Sequence, residues 1–248
     1  MNGRLILYPS AEALARGEAD TIALLLNEAI HARSLAMIVL SGGTTPRHVY
    51  ELLASDSLRS AVRWESVHVF WGDERCVPPE HPDSNYRMAN EALLRHVTIP
   101  DGNVHRIQGE LKPDEAAPAY EEDLRRTFRL GPDDVPRFDL VLLGLGDDGH
   151  TASLFPGGSS LKERQKLVTT AYVERLGAYR VTLTYRTINN AGNVHFLVSG
   201  KSKAAILARV VQSSAEEYPA QLVRPFAGDL RWLVDQDAAS QLEPVRQS

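Results

Sequence analysis

Sulfur chemistry is almost absent from this chain. Cys76 is its only cysteine, which excludes an internal disulfide and a Cys-rich metal site. A reducing compartment suits such a sequence, so a cytoplasmic location is expected. Long apolar runs are missing too: none approaches the ~18 residues that a spanning helix requires, and no membrane partner is expected. The opening stretch MNGRLILYPSAEALARGEAD breaks its apolar run at Pro9 and soon turns acidic, unlike a secretory signal. Lysine is scarce, with five residues, and the net charge is -5. Neutralising a nucleic-acid backbone takes clustered Lys and Arg, so no nucleic-acid partner is expected. Seven histidines (His31, His48, His68, His81, His96, His105 and His195) lack metal-ligand spacing such as H-E-x-x-H, and no metal is expected.

What remains is an ordinary globular composition over 248 residues, long enough to bury a substantial core. Without an internal repeat, low-complexity segment or linker, residues 1–248 are expected to form a single α/β domain. The elements alternate. Leu5 to Leu7 reads as a strand, followed by a helix capped by Ser10 with an apolar stripe at Leu14, Ile22, Leu25, Leu26, Ala29 and Ile30. Ala36 to Leu40 is a second strand, and Thr45 is expected to cap a helix whose first position is Pro46, with Val49, Leu52 and Leu53 inward. Val67 to Trp71 is a third strand. Helices follow over Ser84 to His96 and from about Glu115 to Phe128. Later strands are expected over Leu167 to Val173, Arg180 to Thr184, Val194 to Val198 and, at the sheet edge, Leu230 to Val234, with a helix beginning near Lys201. The pattern predicts a Rossmann-like, mostly parallel sheet with helices on both faces. The two strands after residue 165 are candidates for a small antiparallel addition. The polar C-terminal residues are expected to fray.

The chain is organised around Phe138 to Pro156, FDLVLLGLGDDGHTASLFP. Leu140 to Leu143 reads as a strand buried on both faces, and the glycines after it allow a tight turn. Asp148 and His150 are therefore expected at the carboxyl end of a central strand, where open α/β sheets bind ligands, with a helix starting at Thr151. An unperturbed imidazole titrates near pKa ~6.5 and can take up and return a proton near neutrality. Asp148 can orient that ring or cap the turn.

Three further loops share the rim. Ser41, Gly42, Gly43 and Thr44 lead from a strand into a helix, a geometry that serves an anion and equally serves a plain tight turn. No Lys follows as in a Walker loop. Asp73, Glu74 and Arg75 close the third strand. Arg180 opens a later strand and Lys203 a later helix. With Arg75 and the Ser41 loop, these two cations can together bind one phosphate. Gly144, Gly146 and Gly149 match G-x-G-x-x-G, but past mid-chain and beside two aspartates that a pyrophosphate would repel.

In order, LSGGTTP (Leu40 to Pro46), WGDER (Trp71 to Arg75), HPDSNY (His81 to Tyr86), GLGDDGHTASLFP (Gly144 to Pro156), RVTLT (Arg180 to Thr184) and GKSKA (Gly200 to Ala204) make the chain resemble the 6-phosphogluconolactonases related to glucosamine-6-phosphate deaminase. The resemblance covers nearly the full length, and GHTASLFP is its most specific segment. It implies hydrolysis of 6-phospho-D-glucono-1,5-lactone to 6-phosphogluconate, the second step of the oxidative pentose phosphate pathway. A small sugar phosphate is the implied partner, with no cofactor. The histidine matching His150 is implied as general base. The residues matching the Ser41 loop, Arg75, Arg180 and Lys203 are implied as phosphate contacts.

Three alternatives stand beside it. The deaminases share the first glycine loop, an aspartate like Asp73 and the D-G-H triplet, but carry a glutamate where this chain has Phe155 and an aromatic residue where it has Arg75. A sugar-phosphate sensor would need an output module; with the first strand at Leu5 no N-terminal helix-turn-helix is expected, and the tail past Val234 is expected to be too short for one. A dinucleotide-dependent dehydrogenase would rest on the weak glycine match alone. Asp73 is open between orienting Arg75, holding the sugar and stabilising the rim. A monomer and a small homo-oligomer are both compatible with the sequence.

Overall fold

The computed structural model describes residues 3–213 and 215–243. Among the described residues, ten strands form two sheets. Seven are parallel: β1 (Arg4–Tyr8), β2 (Ala36–Leu40), β3 (Val67–Trp71), β5 (Val104–His105), β6 (Leu140–Leu143), β9 (Asn193–Val198) and β10 (Asp229–Asp235), arranged β1-β10-β9-β6-β2-β3-β5. The remaining three, β4 (Asp73–Arg75), β7 (Val168–Val173) and β8 (Ala178–Leu183), make an antiparallel sheet ordered β4-β8-β7. The expected mostly parallel sheet with an antiparallel addition is present. β10 is not the expected edge strand: it lies between β1 and β9, because its core (Leu230, Trp232, Leu233 and Val234) is apolar enough to be covered from both sides. Its Trp232 stacks on the registered Phe196 of β9, ring centroids 3.9 Å apart.

The helices are α1 (Ala11–Arg33), α2 (Thr44–Leu53), the one-turn α3 (Asp56–Arg59), α4 (Asn85–Ala92), α5 (Pro113–Phe128), the one-turn α6 (Tyr185–Ile188) and α7 (Ala204–Gln212). Ser10 caps α1 as expected, its Oγ accepting from Ala13 N at 3.2 Å. The chain steps rightward through β2, β3 and β5, then turns back through β6, β9 and β10. With right-handed crossovers, α1, α2 and α4 cover one face, where they pack on one another, and the crossovers carrying α5 and α7 cover the other. Strand order therefore reverses between β2 and β6, the place where a doubly wound sheet opens a crevice at its carboxyl edge.

The four residues of β6 are all buried, and each such side chain contributes about 1.5–3 kcal/mol by leaving water. One polar pair lies within the core. Glu18 of α1 and His195 of β9 are wholly buried, with His195 Nδ1 2.8 Å from Glu18 Oε1. Burial raises the Glu18 carboxyl, opposed by its hydrogen bond with His195. Among the described residues no helix is long and apolar enough to cross a membrane.

Two tyrosines fasten the strand ends below the crevice. The Tyr50 hydroxyl accepts from Ser41 N at 2.9 Å and donates to Ser41 O at 3.0 Å. The Tyr120 hydroxyl does the same at Trp71, both at 2.9 Å. Burial raises both phenols, so they stay neutral and able to donate. Removing a buried partner costs about 1–3 kcal/mol. Tyr50→Phe should therefore lower unfolding free energy by about that amount in urea titrations, while the same change at the half-exposed Tyr172 should leave it near the wild-type value.

Candidate active site

A cavity of about 300 Å³ opens at the reversal of strand order. Ser41, Gly42, Gly43 and Thr44 after β2, Asp73 and Arg75 of β4, Asp147 and His150 after β6, Arg180 of β8 and Lys203 before α7 all line it. Of the candidate catalytic and substrate-binding residues, only Asp148 is not part of the lining, and it is hydrogen-bonded to His150.

The loop after β2 is built around the absence of side chains. A Cβ on Gly42 would fall 2.0 Å from Asn85 Oδ1. Gly43 has φ +112°, a region that favours glycine, and is the N-cap of α2. Thr45 was expected in that role. Its hydroxyl instead meets Ser199 Oγ at 2.7 Å, because the positive φ at Gly43 lets the helix start two residues earlier. With no side-chain cap, the first-turn N–H groups of α2 face the cavity end of the helix, where its dipole favours an anion. Ser41 Oγ is buried and, among the described residues, has no hydrogen-bond partner.

β4 pairs antiparallel with β8 so that Arg75 sits directly opposite Arg180. Like charges in that relation repel. Asp73 sits beside them: its carboxylate is 3.9 Å from Arg180 Nη1 and accepts from Ser153 Oγ at 2.5 Å. Of the two arginines, Asp73 accompanies Arg180, while Arg75 donates to the Asp83 carbonyl. Across the cavity, Lys203 closes the short turn Lys201–Lys203 and is the N-cap residue of α7. Its Nζ is 2.5 Å from Asp147 Oδ1.

His150 was expected before a helix. No helix follows. Gly149 and Ala152 take φ +78° and +46°, which interrupts a right-handed helix. Thr151 Oγ1 donates to Gly144 O, and Ser153 is held by Asp73 and Thr182. The segment folds back instead, and the ring of Phe155 lies against that of His150, centroids 4.3 Å apart. His150 Nδ1 is 2.5 Å from Asp148 Oδ1, which also accepts from the His150 backbone N–H. A carboxylate at Nδ1 fixes the proton there and leaves Nε2 as the acceptor. Burial alone would raise Asp148, but the hydrogen bonds from the His150 ring and backbone outweigh it and hold the carboxyl below its ordinary value. Two glycines of the G-x-G-x-x-G match serve packing: a Cβ at Gly146 would strike His150 Nδ1 at 2.0 Å, and one at Gly149 would strike Tyr218 at 2.5 Å, whereas one at Gly144 would meet nothing within 4 Å.

Sequence reasoning passed over Asn85 and Ser153. Asn85 lines the cavity and donates to Asp73 O at 2.9 Å. Ser153 is wholly buried against Asp73. Ser84, whose Oγ caps α4, was a usable signal for the first; nothing local marks the second.

A doubly wound α/β protein with a cationic crevice and a histidine–aspartate pair at its switch point is the class that fold and cavity define. The comparisons narrow it. A model of the family described as glucosamine-6-phosphate isomerases/6-phosphogluconolactonase matches residues 9–232. A 6-phosphogluconolactonase of Synechocystis is 45% identical over 222 residues, 88% of this chain and 90% of that one. One from Nostoc is 42% identical over 239 residues, 95% and 97%. The solved 6-phosphogluconolactonase of Trypanosoma brucei superposes with TM-score 0.87 at 30% identity, covering 98% of this chain and 99% of that one. The chain belongs to the glucosamine-6-phosphate isomerase/6-phosphogluconolactonase family.

The sign of the Asp148 shift has a measurable result. A carboxyl held below its ordinary value, ~3.9, adds stability above that pH and loses it as pH falls through the folded value. Asp148→Asn should flatten this part of the acid limb in a stability-against-pH series. An acid limb of unchanged slope would contradict the pairing.

Proposed function

We propose that this chain hydrolyses 6-phospho-D-glucono-1,5-lactone to 6-phospho-D-gluconate, the second step of the oxidative pentose phosphate pathway. The observation that carries the reading is the facing pair Arg75 and Arg180, in one cavity with Lys203 and His150. Three cations converge where a phosphate can bind, and a base stands within the same 300 Å³. The names of the Synechocystis, Nostoc and Trypanosoma relatives support this substrate.

In this mechanism the phosphate is held by Arg75, Arg180, Lys203 and the N–H groups of the Ser41 to Thr44 loop. Fixing it brings the lactone carbonyl to the base and lowers the entropic part of the barrier. His150 Nε2 takes a proton from a water, whose oxygen adds to the carbonyl carbon. The resulting oxyanion is stabilised by N–H groups of the glycine turns. As the intermediate collapses, the acyl C–O bond breaks and the protonated His150 returns its proton to the departing ring oxygen, which becomes a hydroxyl. The new acid ionises to a carboxylate. Asp148 keeps the ring in the correct tautomer and stabilises its charged form. Phe155, in place of the deaminases' glutamate, gives His150 an apolar neighbour.

General base catalysis is worth about 10²–10⁴-fold. With the lactone made in situ by glucose-6-phosphate dehydrogenase, His150→Ala should cut kcat by about that factor. Near-normal kcat would remove His150 as the base, and no acceleration by the wild type would remove the reading. Arg180→Ala should instead raise KM, losing about 1.5–3 kcal/mol of charge-assisted binding. Unchanged KM and kcat/KM would place the phosphate elsewhere.

A further inference from the structure

Asp147 and Asp148 are neighbours with different commitments. Asp148 is tied to His150 through both ring and backbone. Asp147 makes, among the described residues, one hydrogen bond, to Lys203 Nζ at 2.5 Å. Its side chain is 79% exposed, against 27% for Lys203. The ammonium is thus partly enclosed in the cavity wall and the carboxylate stands at the mouth. Asp147 holds no backbone turn, so the loop does not need its charge to fold.

We propose that Asp147 is a built-in competitor for the substrate's phosphate. It occupies the Lys203 ammonium when the cavity is empty and gives it up when a phosphate arrives. The proposal rests on the reading of Lys203 as a phosphate contact. Three physical points support it. A phosphate and a carboxylate sharing one small cavity repel each other, so the arriving anion must displace the resident one. Displacement costs Asp147 little, since it is already mostly hydrated. Finally, hydrolysis turns a neutral lactone into a carboxylate while the phosphate is retained, so the product carries one more negative charge than the substrate. A resident anion on the loop of His150 therefore weakens the hold on product more than on substrate, and favours release after turnover.

The opposite role, Asp147 steadying Lys203 for the phosphate, predicts the opposite sign. Inorganic phosphate should be titrated by calorimetry at low ionic strength into wild type, Asp147→Asn, Lys203→Ala and the double variant. An exposed ion pair supplies ~0.2–1 kcal/mol, so Asp147→Asn should bind phosphate about 1.4- to fivefold more tightly. Inhibition by 6-phosphogluconate should strengthen at least as much. The gain should shrink when Lys203 is already alanine. Weaker or unchanged binding in Asp147→Asn overturns the proposal, as does an equal gain in both backgrounds. Phosphate binding that Lys203→Ala leaves unaltered removes the proposal together with Lys203 as a contact. Lactone hydrolysis by the wild type reports separately on the proposed activity.

Discussion

One buried carboxylate holds the rim together. Glu74, almost inaccessible to solvent, lies between Asp73 and Arg75 and gathers four donors: the N–H groups of Arg75, Asn85 and Tyr86, each at 2.8 Å, and the Ser84 hydroxyl at 3.0 Å. Burial pushes its carboxyl up, and those hydrogen bonds push back. Three of the four donors come from the first turn of α4 and its cap, where the helix dipole favours negative charge. The clasp therefore joins a three-residue strand, too short to persist alone, to a helix. Through Asn85 it reaches the Gly42 loop; through Asp73, Ser153 and Arg180. A carboxylate with no contact to the cavity thus sets the geometry of most groups that line it.

The cost of the arrangement is electrostatic. Arg75 and Arg180 face each other across a ladder, a placement that stabilises nothing by itself. A folded chain tolerates it because Asp73 lies beside Arg180 and a backbone carbonyl accepts from Arg75. Under the proposed function, a bound phosphate dianion would relieve the remaining repulsion and draw part of its binding energy from that relief. This is a general route by which a site built to meet charge is less comfortable without it.

The sheet and most elements were legible because their signals are local: alternating apolar runs, a Ser cap on α1, glycines at strand ends. The rim loops were legible because every parallel strand delivers its carboxyl end to the same edge, so residues far apart in sequence could be assigned to one crevice. What escaped was decided by long-range pairing. β10 has the composition of an interior strand, yet only pairing with β1 shows that it is one. Thr151 to Phe155 has helical residues, but Gly149 and the pull of Asp73 on Ser153 override propensity. The three-residue β4 carries too little pattern to be seen as a strand before β8 pairs with it. The polar tail expected to fray lies outside the described residues.

Phe155 has a consequence of another kind. Its ring touches His150 on one side, and the Arg180 guanidinium lies 5.8 Å from its centre. An aromatic ring is rigid, so a neighbour of both groups restricts how each can shift. Under the proposed function the guanidinium would hold the anionic end of the molecule and the imidazole would meet its reacting carbon. A fixed spacing between those two groups would then favour molecules of matching length, with a side chain that need donate no hydrogen bond contributing to the choice.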